Sequence, residues 1–239
     1  MCLERRRLPQ TKKILKALLA IDKRITDENL PLRFAIHSGE TTHTEYPFDT
    51  NIATLLSLKN CKRIGHCVSL WKYPALIDKI KQQHINIELC PISNRLMGYV
   101  NTIENHPGIS YISQGISCSI SSDNQSATGY DYVTFDWFEC ILRWKLSLQE
   151  IRSLCVNSID ASFVSKEVKA KMINDFDRDW SSWLSQLMRS GSDGGSNLMC
   201  ISCNVKVCSK AALLKHLDTK SHAKKSAKSR YAPKKMALP

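Results

Sequence analysis

RIGHCVSLWKYPALIDKIKQQHINIELCP, residues 63–91, holds one complete strand–helix–strand step. RIGHCVSL (63–70) is an apolar run of strand length. PALIDKIKQQH (74–84) reads as a helix with proline in its first turn, where a missing N–H is tolerated. INIELCP (85–91) is again a buried strand. Outward from this step the pattern repeats. Upstream, residues 12–30 place Ile14, Leu15, Leu18, Leu19 and Ile21 on one helical stripe. Pro31 ends that helix, LRFAIHSG forms a strand, and 50–60 a second helix. Downstream, NRLMGYVNTIENHPG and ISYISQG lead to a fourth strand, SCSISSD (117–123), and to helices at about 130–145, 147–156 and 160–187. Strands alternating with helices at this spacing predict an α/β fold with a parallel sheet.

The 239 residues are 43% hydrophobic and 23% charged, enough apolar material for a buried core. No run approaches the ~20 apolar residues that span a bilayer, so no membrane partner is expected. The basic start MCLERRRLPQTKK lacks an apolar core segment, so no signal peptide is expected. The net charge is +12, of which residues 200–239 carry +9, leaving a nearly neutral body. Such a tail suits a polyanion or a solvated basic end. Cys61, Cys67, Cys90, Cys118, Cys140 and Cys155 are scattered among apolar residues and read as buried free thiols.

Each predicted strand ends in polar residues: His37 and Glu40, His66, Ser93 and Asn94, and Asp123. A (β/α) barrel builds its active site at those ends. Taken singly, His37 and His66 could be satisfied strand-end histidines; in order with Glu40 and Asp123 they read as a site. His43, His84 and His106 lack that support, the first two being expected at the surface, and Met97 and Trp71 are expected to pack. SGSDGGSN (190–197) is a flexible linker. It divides the chain into a body (1–189), a small module (198–225) and a basic tail (226–239). In that module Cys200-x2-Cys203-x12-His216-x5-His222 has the spacing of a Cys2His2 zinc site, so a ββα zinc finger is predicted. Ser209 offers an N-cap to its helix, and Cys208 falls off the spacing. Zinc would supply folding energy that so few residues cannot. The five-residue gap followed by KKSAKSR resembles the U1/matrin type of finger, which implies RNA or double-stranded nucleic-acid contact.

HSGET (37–41), RIGH (63–66), ELCPISNRLMG (88–98), NHP (105–107) and SISSDN (119–124) resemble the later motifs of adenosine deaminases. They are closest to the secreted, adenosine deaminase-related growth factor branch, over residues 12–187. The resemblance implies a partial TIM barrel equivalent to strands 5–8, and zinc-dependent hydrolysis of adenosine to inosine. It implies His37 and Asp123 as zinc ligands, and Glu40 as the acid that protonates the purine ring. His66 would hold the attacking water and move its proton, and Asn124 would contact substrate. Zinc would lower the pKa of that water.

Two features depart from the family pattern. The chain contains no H-x-H, so the family's other two zinc ligands are missing. Asp123-Asn124 stands where the family has two aspartates, and an amide oxygen accepts a hydrogen bond without carrying the charge. Little or no turnover by this chain alone is therefore expected. The rival expectation is a non-enzymatic RNA-binding adaptor with an inert barrel remnant. Half a barrel has two open edges, which implies a missing segment or an oligomer that covers them. The deaminase branch implies an extracellular setting and the finger an intracellular, nuclear one.

Overall fold

The computed structural model describes residues 8–40, 48–124, 132–190, 198–200 and 205–207. It divides into two compact units, residues 1–144 with 153–163, and 145–152 with 164–239.

In the first unit, α1 (Leu8–Asp27) buries Leu15, Leu18, Asp22 and Ile25, while Leu19 and Ile21 face solvent. The buried stripe is thus narrower than the sequence pattern, and it includes an acid. Asp22 is buried because it caps the loop before the next strand but one: it accepts from the Lys59 and Asn60 amides at 3.0 and 2.9 Å, and from Asn60 Nδ2 at 3.0 Å. The helix stops with Asn29 in the left-handed region, Leu30 N–H on the Ile25 carbonyl and Asn29 N–H on that of Thr26. That is a Schellman ending, with asparagine where glycine is commonest.

Four strands follow: β1 (Phe34–Ser38), β2 (Cys61–His66), β3 (Asn86–Leu89) and β4 (Cys118–Ile120). All neighbours are parallel and the spatial order is the chain order. The register lines up Ile36, Ile64, Ile87 and Cys118 in one buried row across the sheet. The predicted four-stranded parallel sheet is therefore present. Its intervening helices are α2 (Phe48–Leu55), α3 (Pro74–Gln82), α4 (Pro91–Leu96) and α5 (Gly108–Ser113), with α6 (Thr134–Trp144) after β4.

Three sequence expectations need correction. The run 63–70 is strand only to His66, because His66 and Cys67 both adopt positive φ (67° and 49°) and turn the chain into a 3-10 segment, Val68–Lys72. ISYIS, taken as an approach to β4, is helical in α5, where complete burial of Tyr111 overrides the weak helix propensity of Ile, Ser and Tyr. Trp71 and Met97 are 43% and 48% exposed, so neither is a packing residue. His84 is at the surface as expected; His43 lies outside the described residues. Among the described thiols, Cys61, Cys67, Cys90, Cys118 and Cys140 are buried, Cys155 is half-buried, and none forms a disulfide. Burial pushes the Cys61 thiol up to about 12, which makes it an inert packing group.

In the second unit, Ser147 and Glu150 form a reciprocal capping box at the start of α7 (Leu148–Asp160): Ser147 N–H donates to Glu150 Oε2 at 2.7 Å and Glu150 N–H to Ser147 Oγ at 3.2 Å. Ser165 Oγ accepts from the Val168 amide and caps α8 (Lys166–Ser190), whose Phe176, Trp180 and Trp183 stack in series. Two short strands, β5 (Leu198–Cys200) and β6 (Val205–Val207), pair as an antiparallel hairpin. Cys200 ends β5; Cys203, Ser209, His216 and His222 lie outside the described residues. No helix among the described residues is long and apolar enough to cross a membrane.

Candidate functional site

His37 is the fourth residue of β1 and pairs with Gly65 of β2. Its ring lies directly over that glycine: a β-carbon on Gly65 would stand 2.5 Å from His37 Cδ2. Glycine at 65 is therefore what lets an imidazole cross the strand. β1 then runs through Ser38 and Gly39 to Glu40, which is buried.

His66 ends β2, is 1% exposed, and packs edge-on against His37 with ring centroids 4.6 Å apart. The turn behind it is clamped from two sides. Cys67 N–H donates to the Ser38 carbonyl at 3.1 Å, and Tyr111 Oη of α5 donates to the Cys67 carbonyl at 2.9 Å. The same hydroxyl accepts the Trp71 amide at 2.9 Å. Those bonds offset the strain of two consecutive left-handed residues, of order 1–3 kcal/mol each.

Asp123 follows β4, is exposed, and also has positive φ, 57°. Ser93 Oγ of α4 donates to its Oδ2 at 2.6 Å. Ser93 and Asn94 are thus not on a strand end but on the short helix after β3. That helix is held in turn by buried Asp136 of α6, which accepts the Ile92 amide at 3.3 Å.

The chain so brings together His37, Glu40, His66 and Asp123, at the C-terminal ends of β1, β2 and β4 of one parallel sheet. One ligand atom from each of His37, His66 and Asp123 lies within 4.8 Å of the others. His66 Nε2 is 3.2 Å from His37 Nδ1 and 3.8 Å from Glu40 Oε1. Burial, with help from the neighbouring His66, lowers the His37 imidazole to about 4, leaving it neutral at physiological pH. Neutral imidazole is the form that ligates a metal. Imidazole and carboxylate are donors suited to zinc; with His66 kept for the water, His37 and Asp123 are two of the at least three protein ligands that catalytic zinc uses. Asn124 is exposed beside Asp123.

Sequence reasoning gave His106 no role, yet it is fully buried behind this cluster. His106 Nε2 meets Asn94 Oδ1 at 3.0 Å, and Asn94 Nδ2 meets His66 Nδ1 at 3.0 Å. The Gly108 amide donates to His106 Nδ1 at 2.9 Å, and the ring lies 5.6 Å from that of buried Trp144. The one available signal was the position of His106 inside the NHP motif.

The parallel sheet thus carries a cluster of two histidines and a carboxylate at its C-terminal edge. Solved structures agree on the fold. An adenine deaminase from Arthrobacter aurescens superposes with a TM-score of 0.59 at 23% identity, covering 70% of this chain and 47% of that one. A zinc-bound amidohydrolase from Burkholderia ambifaria gives 0.58 at 15% identity, covering 67% and 43%. The family model described as adenosine deaminase matches residues 15–179, and the chain belongs to the adenosine deaminase family. Adenosine deaminase 2 of Dictyostelium discoideum is 32% identical over 164 residues, 68% of this chain and 30% of that protein. The chain spans roughly a third of the length of the curated relatives it matches.

Proposed function

We propose that this chain supplies the C-terminal half of a purine-nucleoside deaminase site, with adenosine as the reference substrate. The observation that carries the reading is the convergence of His37 and Glu40 after β1, His66 at the end of β2 and Asp123 after β4. His37 and Asp123 are the residues that would hold zinc, whose contribution when bound is to lower the pKa of a water into the working range. Buried Glu40 is placed to act as the acid that delivers a proton to the purine ring as water adds to C6. His66 faces the same point through Nε2 and holds the water. Asn124 is assigned to the far side of the purine, as an uncharged acceptor. Two protein ligands are fewer than a catalytic zinc requires, so the remaining ones must come from another segment or a second chain.

Zinc per folded chain, measured on exhaustively washed protein, tests this. About one zinc that disappears in Cys200→Ser would mean a barrel site without metal and a catalytically inert body. About two, one of them surviving Cys200→Ser, would mean His37 and Asp123 have found partner ligands. In either case we expect little inosine from the chain alone; rapid inosine formation would overturn the account of an incomplete site.

A second activity is favoured by the hairpin of β5 and β6, which puts Cys200 at a strand end as a ββα finger requires. We assign Cys200, Cys203, His216 and His222 to a structural zinc, and the finger with its basic tail to RNA. Binding should weaken steeply with salt and be lost in Cys200→Ser and His216→Ala. Salt-independent binding, or binding unchanged by both substitutions, would remove the finger from the account.

A further inference from the structure

We propose that His106 and Asn94 are positioning residues that hold His66 in the tautomer whose proton sits on Nε2, so that His66 meets the site as a hydrogen-bond donor. The argument starts from a group whose polarity is covalent. A backbone N–H can only donate, and that of Gly108 points at His106 Nδ1 from 2.9 Å. His106 Nδ1 must therefore carry a lone pair, and the proton of the neutral ring sits on Nε2. Nε2–H then donates across 3.0 Å, which requires the oxygen of Asn94 to face it. With Oδ1 committed, the Asn94 amino group faces His66 and donates to Nδ1 across 3.0 Å. His66 Nδ1 is thereby an acceptor, and its proton is left on Nε2, between His37 Nδ1 at 3.2 Å and Glu40 Oε1 at 3.8 Å.

The surroundings make each link stiff. His106 and Asn94 are both 0% exposed, so no water competes for their bonds. Burial also lowers the His106 imidazole to about 3, and a charged ring would set a second N–H against that of Gly108. Gly108 itself admits no side chain: a β-carbon there would lie 2.9 Å from His106 Nδ1 and 2.8 Å from Leu89 Cδ1. Reversing any one link would place two donors or two acceptors face to face in a dry environment, where an unsatisfied polar group is costly.

The consequence concerns the role of His66. A nitrogen that already bears a proton cannot accept one from the attacking water; it can hold that water by donating to its oxygen. The consequence rests on the deaminase reading above, whereas the tautomer itself does not.

The nitrogen resonances of the imidazoles, recorded on the full 239-residue chain at neutral pH, read the tautomer directly. His66 and His106 are assigned by the signals lost in His66→Gln and His106→Gln. We expect a single form for each, proton on Nε2 and lone pair on Nδ1. His66 protonated on Nδ1, or populating both forms, would overturn the proposal without any variant being needed. Asn94→Asp turns the donor toward His66 into an acceptor, so a proton should appear on His66 Nδ1; an unchanged spectrum would sink the relay. His106→Gln keeps a donor toward Asn94 and should preserve the His66 form, while His106→Leu should yield both forms. A residue that only filled space would give the same His66 spectrum in both variants. Zinc content on the same sample separates the two ideas: one Nε2–H form in a chain without barrel zinc upholds the relay even where the body alone is catalytically inert.

Discussion

At the scale of single residues, the candidate site is built where the backbone is least comfortable. His66, Cys67 and Asp123 all sit in the left-handed region, which non-glycine residues occupy only when their surroundings hold them there. Gly65 is the complementary case: its φ is ordinary, and its requirement is space for the His37 ring. Gly65→Ala should therefore displace His37 and destabilise the chain by about 1–3 kcal/mol, the usual range for overpacking. Urea unfolding midpoints would measure the loss. A variant as stable as the parent would show that the ring does not occupy that position.

At the scale of elements, the sheet is joined to its helices by buried polar contacts as well as by apolar packing. Asp22 of α1 satisfies three donors of the loop before β2, and Tyr111 of α5 bridges the turn after it. Both ends of β2 are thus fixed by side chains from distant helices. Asp22→Ala removes the acceptor of the part-buried Lys59 and Asn60 bonds and should cost about 1–2 kcal/mol. Tyr111→Phe keeps the ring but removes the acceptor of the Trp71 amide, while the Cys67 carbonyl keeps the Leu70 N–H at 3.0 Å, with a loss of about 1–2 kcal/mol. It should also increase hydrogen exchange at the Trp71 amide, which Asp22→Ala should leave alone. Equal exchange in the two variants would show that Tyr111 does not clamp this turn.

At the scale of the whole molecule, stability should depend on pH through groups that stay neutral when folded. Burial lowers His106 from 6.5 to about 3, so between those values the unfolded chain binds a proton that the folded chain does not. Stability is complete above pH 6.5 and falls as pH drops toward 3. The slope from this residue reaches about 1.4 kcal/mol per pH unit. His37, lowered to about 4, acts with the same sign over pH 6.5 to 4. His106→Gln should flatten the pH dependence of chemical unfolding by up to that slope. A slope identical to the parent's would mean that His106 is solvated rather than buried. The sheet also ends in two strands, β1 and β4, each paired on one side only among the described residues. An incomplete sheet of this kind is consistent with a chain spanning a third of its relatives' length.

Much of this was legible in the sequence because parallel strands and their helices write strong one-dimensional signals. Apolar runs such as INIELCP, bounded by breaks, announced the four strands, and polar residues after the first, second and fourth runs announced where chemistry would gather. His37, Glu40, His66 and Asp123 were accessible for that reason. The boundary of β2 was not, since nothing in GHCV marks the left-handed turn that side chains 40 positions away enforce. Nor was helix α5, whose composition is indifferent and whose conformation follows from the burial of Tyr111. The clearest division lies at His66. Its identity and its place at the end of RIGH are set by the sequence alone. Which of its nitrogens carries the proton is decided only by tertiary structure. Hydrogen-bond polarity passes from Gly108 through His106 and Asn94, residues 12 and 28 positions apart along successive links, and only folding makes them neighbours.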